Sequence, residues 1–193
     1  MTDFARLMSD YFVKYLAGQK GSGSNTMKTY RDTFVQLLEF MDEKKHIRAD
    51  CIEVDSFSYD IINEFLEYLE KEKRVSISTR NNRLAAIRSF FKYTGYHEPK
   101  YLNISTSIRE ISKKKTEGRQ MNYLSVNAME HFLNSFDKTD HKELRCFCIV
   151  LLLYESGARV TELCNVRRYD LHLEKPYTMI LHGKGDKIRS VPL

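Results

Sequence analysis

Two short stretches carry residues whose types and spacing suit work on a phosphate. Tyr154-Glu-Ser-Gly-Ala-Arg-Val-Thr-Glu-Leu-Cys164 sets Arg159 just after a glycine-containing break between two helical segments. Gly183-Lys-Gly-Asp-Lys187 sets Lys184 in the tip of a β-hairpin. A guanidinium presents a rigid fork of donors that matches two phosphate oxygens, and an ammonium adds a point charge that can also give up a proton. Held by rigid elements on either side of one pocket, such a pair grips a phosphate that is about to react. Glu162 follows Arg159 by one helical turn. Each motif also has a plainer reading. An arginine three residues before a glutamate is often a surface ion pair worth roughly 0.2–0.5 kcal/mol, and a Gly-Lys-Gly-Asp-Lys tip is often a turn with solvated lysines. The phosphate reading is favoured because two separate motifs agree on one chemistry.

The elements that must hold these residues can be read from periodicity. His141 opens a helix running to about Tyr154 that is apolar almost all round near its end, through Phe147 and Ile149-Val-Leu-Leu-Leu153, and is expected at the buried centre of the second segment. Before it, Ser125 or Asn127 can cap a helix bearing Met129, Phe132, Leu133 and Phe136. After it, Leu171, Leu173, Met179 and Leu181 fit one or two strands, and Lys187-Ile-Arg-Ser-Val191 alternates as the returning strand. Cys146 and Cys148 lie inside the apolar run and are expected as reduced core residues. None of the four cysteines forms a C-x-x-C pair or has a histidine at zinc-finger spacing, so no metal or other cofactor is expected.

The 193 residues suffice for one ordinary domain or two small ones, and 42% hydrophobic with 12% aromatic content is that of a folded protein. A net charge of +5 permits nucleic acid as a partner without demanding it. The N-terminus lacks a signal-peptide layout, and no apolar run approaches the ~20 residues of a membrane span, so a cytoplasmic protein is expected.

Upstream, helical spacing predicts four helices. The first bears Phe4, Leu7, Met8, Tyr11, Phe12 and Tyr15, and the second, capped by Ser24 or Asn25, bears Met27, Tyr30, Phe34, Leu37, Leu38 and Met41. The third bears Ile61, Ile62, Phe65, Leu66 and Leu69. The fourth starts at Ser76-Ile-Ser-Thr79, bears Leu84, Ile87, Phe90, Phe91 and Tyr93, and ends at Gly95. Thr26, Lys28, Thr29 and Arg31 crowd the start of the second helix, where hydroxyl and basic groups suit a phosphate backbone. Thr79, Arg80, Asn82, Arg83 and Arg88 make the fourth helix basic with no acidic residue among them. A short helix is expected over 101–111. Lys113, Lys114 and Lys115 then form a basic connector whose lysines can neutralise phosphates.

Leu152-Leu-Tyr-Glu-Ser-Gly-Ala-Arg-Val-Thr-Glu-Leu163 followed by Gly183-Lys-Gly-Asp-Lys-Ile-Arg-Ser-Val-Pro-Leu193 resembles the tyrosine recombinases, the phage integrases and Xer-type site-specific recombinases. Ser24-Asn-Thr-Met-Lys-Thr-Tyr-Arg-Asp32 and Ser78-Thr-Arg-Asn-Asn-Arg-Leu-Ala-Ala-Ile-Arg-Ser-Phe-Phe91 resemble their core-binding domain. The resemblance implies a mainly α fold with a small antiparallel β-hairpin or sheet. A four-helix SAM-like domain over 1–97, a connector over 98–120 and part of an α+β catalytic domain over 121–193 are expected. It implies that Arg159 is the first catalytic arginine, Glu162 its acidic support, and Lys184 the general acid, with Lys187 as the alternative. It also implies double-stranded DNA as the partner, bound by a tetramer on two sites. The family also uses a downstream H-x-x-R, a further His or Trp and a tyrosine nucleophile. No H-x-x-R occurs in these 193 residues and no tyrosine follows the hairpin. The expectation is an N-terminal piece of a longer recombinase that binds DNA, does not complete catalysis alone and is monomeric without DNA. A non-catalytic DNA-binding module occupying recombination sites, and an all-helical protein-interaction domain, remain as alternatives.

Overall fold

Short polar caps set the helix starts in the computed structural model, which describes all residues except 20–22, 117, 119–121, 184 and 186. Thr2 accepts the Ala5 amide at the start of α1 (Asp3–Asp10), which runs on as a π-helical stretch, Tyr11–Gln19. Helix α2 (Ser24–Lys45) starts from Gly23 with no side-chain cap, so neither Ser24 nor Asn25 serves as expected, and it ends on His46 in the left-handed region. Ser58 caps α3 (Tyr59–Lys71) and Ser76 caps α4 (Ile77–His97). Helix α5 is Leu102–Glu110. Ser125 caps α6 (Val126–Asn134) and Asp140 caps α7 (His141–Ser156), which precedes the short α8 (Val160–Cys164). Strands β1 (Leu171–His172), β2 (Thr178–His182) and β3 (Ile188–Pro192) form one antiparallel sheet in the order β1-β2-β3. The fold is mostly helical with a small antiparallel sheet, as the sequence indicates.

The chain divides into two units, Met1–Gly118 and Arg119–Leu193. The first is built around Phe90 of α4. Its ring meets Phe4, Tyr11, Phe34 and Phe91 edge-on at centroid separations of 5.3–5.5 Å, the arrangement that aromatic quadrupoles favour. Tyr11 is wholly buried and its hydroxyl pairs with Ser89 at 2.8 Å, and burial pushes its phenol well above the usual range. Gly95 does not end α4, which continues to His97. Its role is clearance: a Cβ there would lie 2.6 Å from the buried Ser105 side chain of α5.

In the second unit, Met179 and Leu181 are the buried residues of β2, paired with Val191 and Arg189 of β3. Cross-strand partners share a face, so Arg189 and Val191 point to the same side as the buried pair, and both are partly buried. Helix α7 departs from expectation, because none of its residues is buried. It meets the turn that follows α6 through the Phe136–Phe147 ring pair, and its apolar side lines an open cleft of about 440 Å³ with α8, β1 and β2, so a large part of its surface lacks a packing neighbour. Cys146 and Cys148 are accordingly exposed rather than in the core. Among the described residues no helix is long and apolar enough to cross a membrane, and no group of three or more His, Cys, Asp or Glu could hold a metal ion.

Candidate active site

The break after α7 is made by Gly157, whose φ of 56° is one that L side chains rarely adopt. Ser156 steadies the turn: its hydroxyl donates to the Leu152 carbonyl and accepts from the Ala158 amide. Arg159 then occupies the N-cap of α8. Glu162 closes back on it twice, accepting the Arg159 amide at Oε2 (3.1 Å) and the guanidinium NH1 at Oε1 (2.6 Å). Arg189 reaches in from β3 and donates to the same Oε2 at 2.8 Å and to the Gly157 carbonyl at 3.3 Å. The Glu162 carboxylate is 4% exposed, whereas the Arg159 side chain is 69% exposed.

One buried negative charge therefore sits between two arginines. The Arg159 amide first, then its guanidinium and that of Arg189, hold the Glu162 carboxyl down at about 2. The carboxylate is charged throughout the physiological range and fixes one edge of Arg159. A guanidinium carries five N–H donors, and among the described residues only Glu162 accepts from that of Arg159. The remaining donors stand on an exposed side chain, able to take the oxygens of an incoming phosphate.

The hairpin stem comes up against this cluster. Gly183 donates to the Lys187 carbonyl at 2.7 Å, and Gly185 turns the loop at φ 73°. A Cβ on Gly183 would stand 3.3 Å from Glu162 Oε1, so the glycine lets the strand end approach the carboxylate closely. Lys184 lies outside the described residues. Lys187 is exposed on the far side of the turn. At the end of β2, His182 Nε2 lies 3.1 Å from Oδ1 of the buried Asp170, whose other oxygen accepts the Arg167 amide at 2.7 Å. That amide first, then His182, keeps the Asp170 carboxyl below its usual range.

The first unit carries the remaining candidates, and they divide into two groups. Lys28, Thr29, Arg31 and Asn82 are exposed, and Thr26 and Thr79 are partly so. Thr26, Thr29 and Asn82, with Asn25, Tyr30 and Ala85, line a groove of about 270 Å³ where α2 and α4 meet. The arginines of α4 are committed elsewhere. Arg80 is 5% exposed; it donates to Glu70 at 3.1 Å and to the Asn81 side chain and Ser112 carbonyl at 3.3 Å. Arg83 ties α4 to α2 through the Thr29 carbonyl (3.0 Å) and the Thr33 hydroxyl (3.2 Å). Arg88 donates to the Arg109 carbonyl at the end of α5. The basic character of α4 is thus largely internal strutting rather than an open cationic face. Lys113, Lys114 and Lys115 are exposed, but Lys114 is held by Glu70 at 2.8 Å, and its backbone is paired with the Asn81 side chain.

Sequence reasoning places Arg159, Glu162 and the lysine hairpin, and passes over Arg189 and the Asp170–His182 pair. The signal for Arg189 is its register: it is an inward position of an alternating strand, where a charged residue needs a partner.

Two family models match the chain: the phage integrase N-terminal SAM-like domain over residues 10–99, and the phage integrase family over residues 122–193. A Sinorhizobium fredii protein bearing the name integrase/recombinase y4rD is 29% identical over 98% of this chain and 68% of its own. Tyrosine recombinase XerD of Listeria innocua is 30% identical over 95% of this chain and 59% of its own. Among solved structures, the XerH site-specific recombinase bound to difH substrate in a post-cleavage complex superposes with a TM-score of 0.66 at 23% identity, covering 96% of this chain and 53% of that one. The chain thus spans between about half and two thirds of the length of these proteins.

Proposed function

Because the chain belongs to the phage integrase family of tyrosine recombinases, we propose that it supplies the DNA grip and the phosphate-activating half of a site-specific recombination site. The observation that carries this is the Arg159–Glu162–Arg189 cluster at the stem of the lysine hairpin. A buried carboxylate that pins one edge of an exposed guanidinium leaves the rest of that guanidinium pre-oriented. Its fork matches two non-bridging oxygens of a phosphodiester, where charge builds as the bond to the leaving oxygen stretches. Preorganisation matters because no reorientation is then required during the step.

In this reading Lys184 protonates the departing 5′ oxygen, and Lys187 is the alternative donor at the same turn. The attacking tyrosine and the H-x-x-R pair of the family complete the reaction, forming a 3′-phosphotyrosyl link and breaking the bond to the 5′ oxygen. The DNA partner is double-stranded. Thr26, Lys28, Thr29, Arg31, Thr79 and Asn82 form the backbone-contacting surface of the helical unit, with Lys113 and Lys115 beside it. Residues 1–97 act as the core-binding domain, 98–120 as the connector and 121–193 as part of the catalytic domain, in a protein that works as a tetramer on two sites.

Binding of the 193-residue chain to duplex DNA as a function of salt tests the grip. Contacts to Z phosphates give a log–log slope of about −0.9Z. A slope of several units is expected, reduced by about one for Lys28→Ala and again for Arg31→Ala. A slope of zero, or no binding at low salt, overturns the reading.

A further inference from the structure

Arg189 is given no contact with the reacting phosphate above, yet it is the side chain that joins the two motifs. It stands 27 residues from Glu162, on the strand that returns from the lysine hairpin, and one of its nitrogens reaches both Glu162 Oε2 and the Gly157 carbonyl. We propose that Arg189 is a positioning residue for Arg159, fastening the hairpin strand to the carboxylate and to the glycine turn that together aim the guanidinium. This inference rests on the recombinase reading for its consequence, though not for its geometry.

Three observations support the assignment. Glu162 is nearly inaccessible, so its orientation is set by its partners rather than by water, and Arg189 supplies the one side-chain bond among the described residues that reaches it from another element. Gly157 lies in a backbone conformation that favours glycine, and its carbonyl is the acceptor that Arg189 uses to hold the turn. Finally, Gly183 brings the hairpin stem within contact distance of the Glu162 oxygen that binds Arg159, so a displacement of β3 is felt at that oxygen. Without Arg189, Glu162 keeps the Arg159 amide and guanidinium but loses its tie to the sheet. Arg159 is then free to follow its carboxylate away from the hairpin.

The test pairs a spectroscopic signature with a double-mutant cycle. In the full 193-residue chain, carboxyl NMR follows the Glu162 titration in wild type, Arg189→Met and Arg189→Lys. The midpoint of about 2 is expected to rise in Arg189→Met and to rise less in Arg189→Lys. An unmoved midpoint in a folded Arg189→Met chain overturns the proposal. Duplex affinity is then measured for Arg189→Met alone and in an Arg159→Ala background. Action through Arg159 predicts a loss of roughly 3–10-fold in the first case and less than about twofold in the second. Equal losses in both backgrounds make Arg189 an independent phosphate ligand and also overturn it. Arg189→Lys keeps the charge and covers the case in which Arg189→Met does not fold. If wild type binds no DNA, the recombinase reading fails by itself, and the Glu162 titration still decides the positioning role.

Discussion

Arg80 and Arg31 both read from the sequence as DNA-facing arginines, and their surroundings predict opposite phenotypes. The Arg80 guanidinium is enclosed between α3, α4 and the segment after α5, where it meets Glu70, Asn81 and the Ser112 carbonyl. Arg80→Met removes three hydrogen bonds and uncovers a carboxylate that is mostly enclosed. Breaking a buried ion pair typically costs about 3–5 kcal/mol. Here Glu70 keeps Lys114 at 2.8 Å, so part of that penalty is relieved. A cost of about 2 kcal/mol follows, which lowers Tm by roughly 6–12 °C for a unit of this size. Because the side chain is 5% exposed, it neutralises no phosphate, and the salt slope of duplex binding is unchanged. Arg31→Ala does the reverse, leaving Tm within about 1–2 °C and reducing the slope by about one. Thermal melts by circular dichroism and fluorescence-anisotropy titrations at several salt concentrations read both quantities. An Arg80→Met chain with unchanged Tm and a reduced slope refutes the assignment of Arg80 to the interior.

Gly95→Ala sets a gain in helix propensity of about 0.5–1 kcal/mol against an overpacking cost of about 1–3 kcal/mol at Ser105. The single variant is therefore expected to melt earlier than wild type, and in a Ser105→Gly background the same substitution is expected to raise Tm; a decrease in both backgrounds contradicts the clearance role. Gly157→Ala costs about 1 kcal/mol through its positive φ alone, since no neighbour would touch the new methyl, and denaturant melts should show Gly157→Asn to be milder. The Glu162 carboxyl sits below its ordinary 4.5, at about 2, so its contribution to stability is complete above 4.5 and is lost as pH falls through 2. Tm followed from pH 5 to pH 2, a range chosen to span about that titration, should fall less steeply in Glu162→Gln; parallel curves would contradict the depressed pKa.

The helical unit was legible because its apolar residues recur at helical spacing and because Ser76 caps α4 where the sequence starts that helix. The Gly157 break and the Arg159–Glu162 pairing were legible for a different reason: they are local features that depend on neighbours within a few residues. What escaped was non-local. Whether Arg80, Arg83 and Arg88 face solvent or bridge helices depends on Glu70, Thr33, Ser112 and Arg109, and composition along one helix carries no information about those. Gly95 was misread because a helix-ending glycine and a glycine at a close helix crossing look alike until α5 is placed. Helix α7 was misread because an all-round apolar helix implies neighbours on every side, and the described chain supplies them on part of its surface.

In the proposed function Arg159, aimed by Glu162, activates a phosphodiester. Cleavage of a nicked, radiolabelled duplex by a chain that joins these residues to the family's H-x-x-R and tyrosine tests it, scored as covalent protein–DNA adduct under single-turnover conditions. Arg159→Ala is expected to slow adduct formation by roughly a hundredfold or more, as loss of a preorganised donor does elsewhere. Glu162→Gln is expected to fall between that variant and wild type. Adduct forming at the wild-type rate in Arg159→Ala would contradict it.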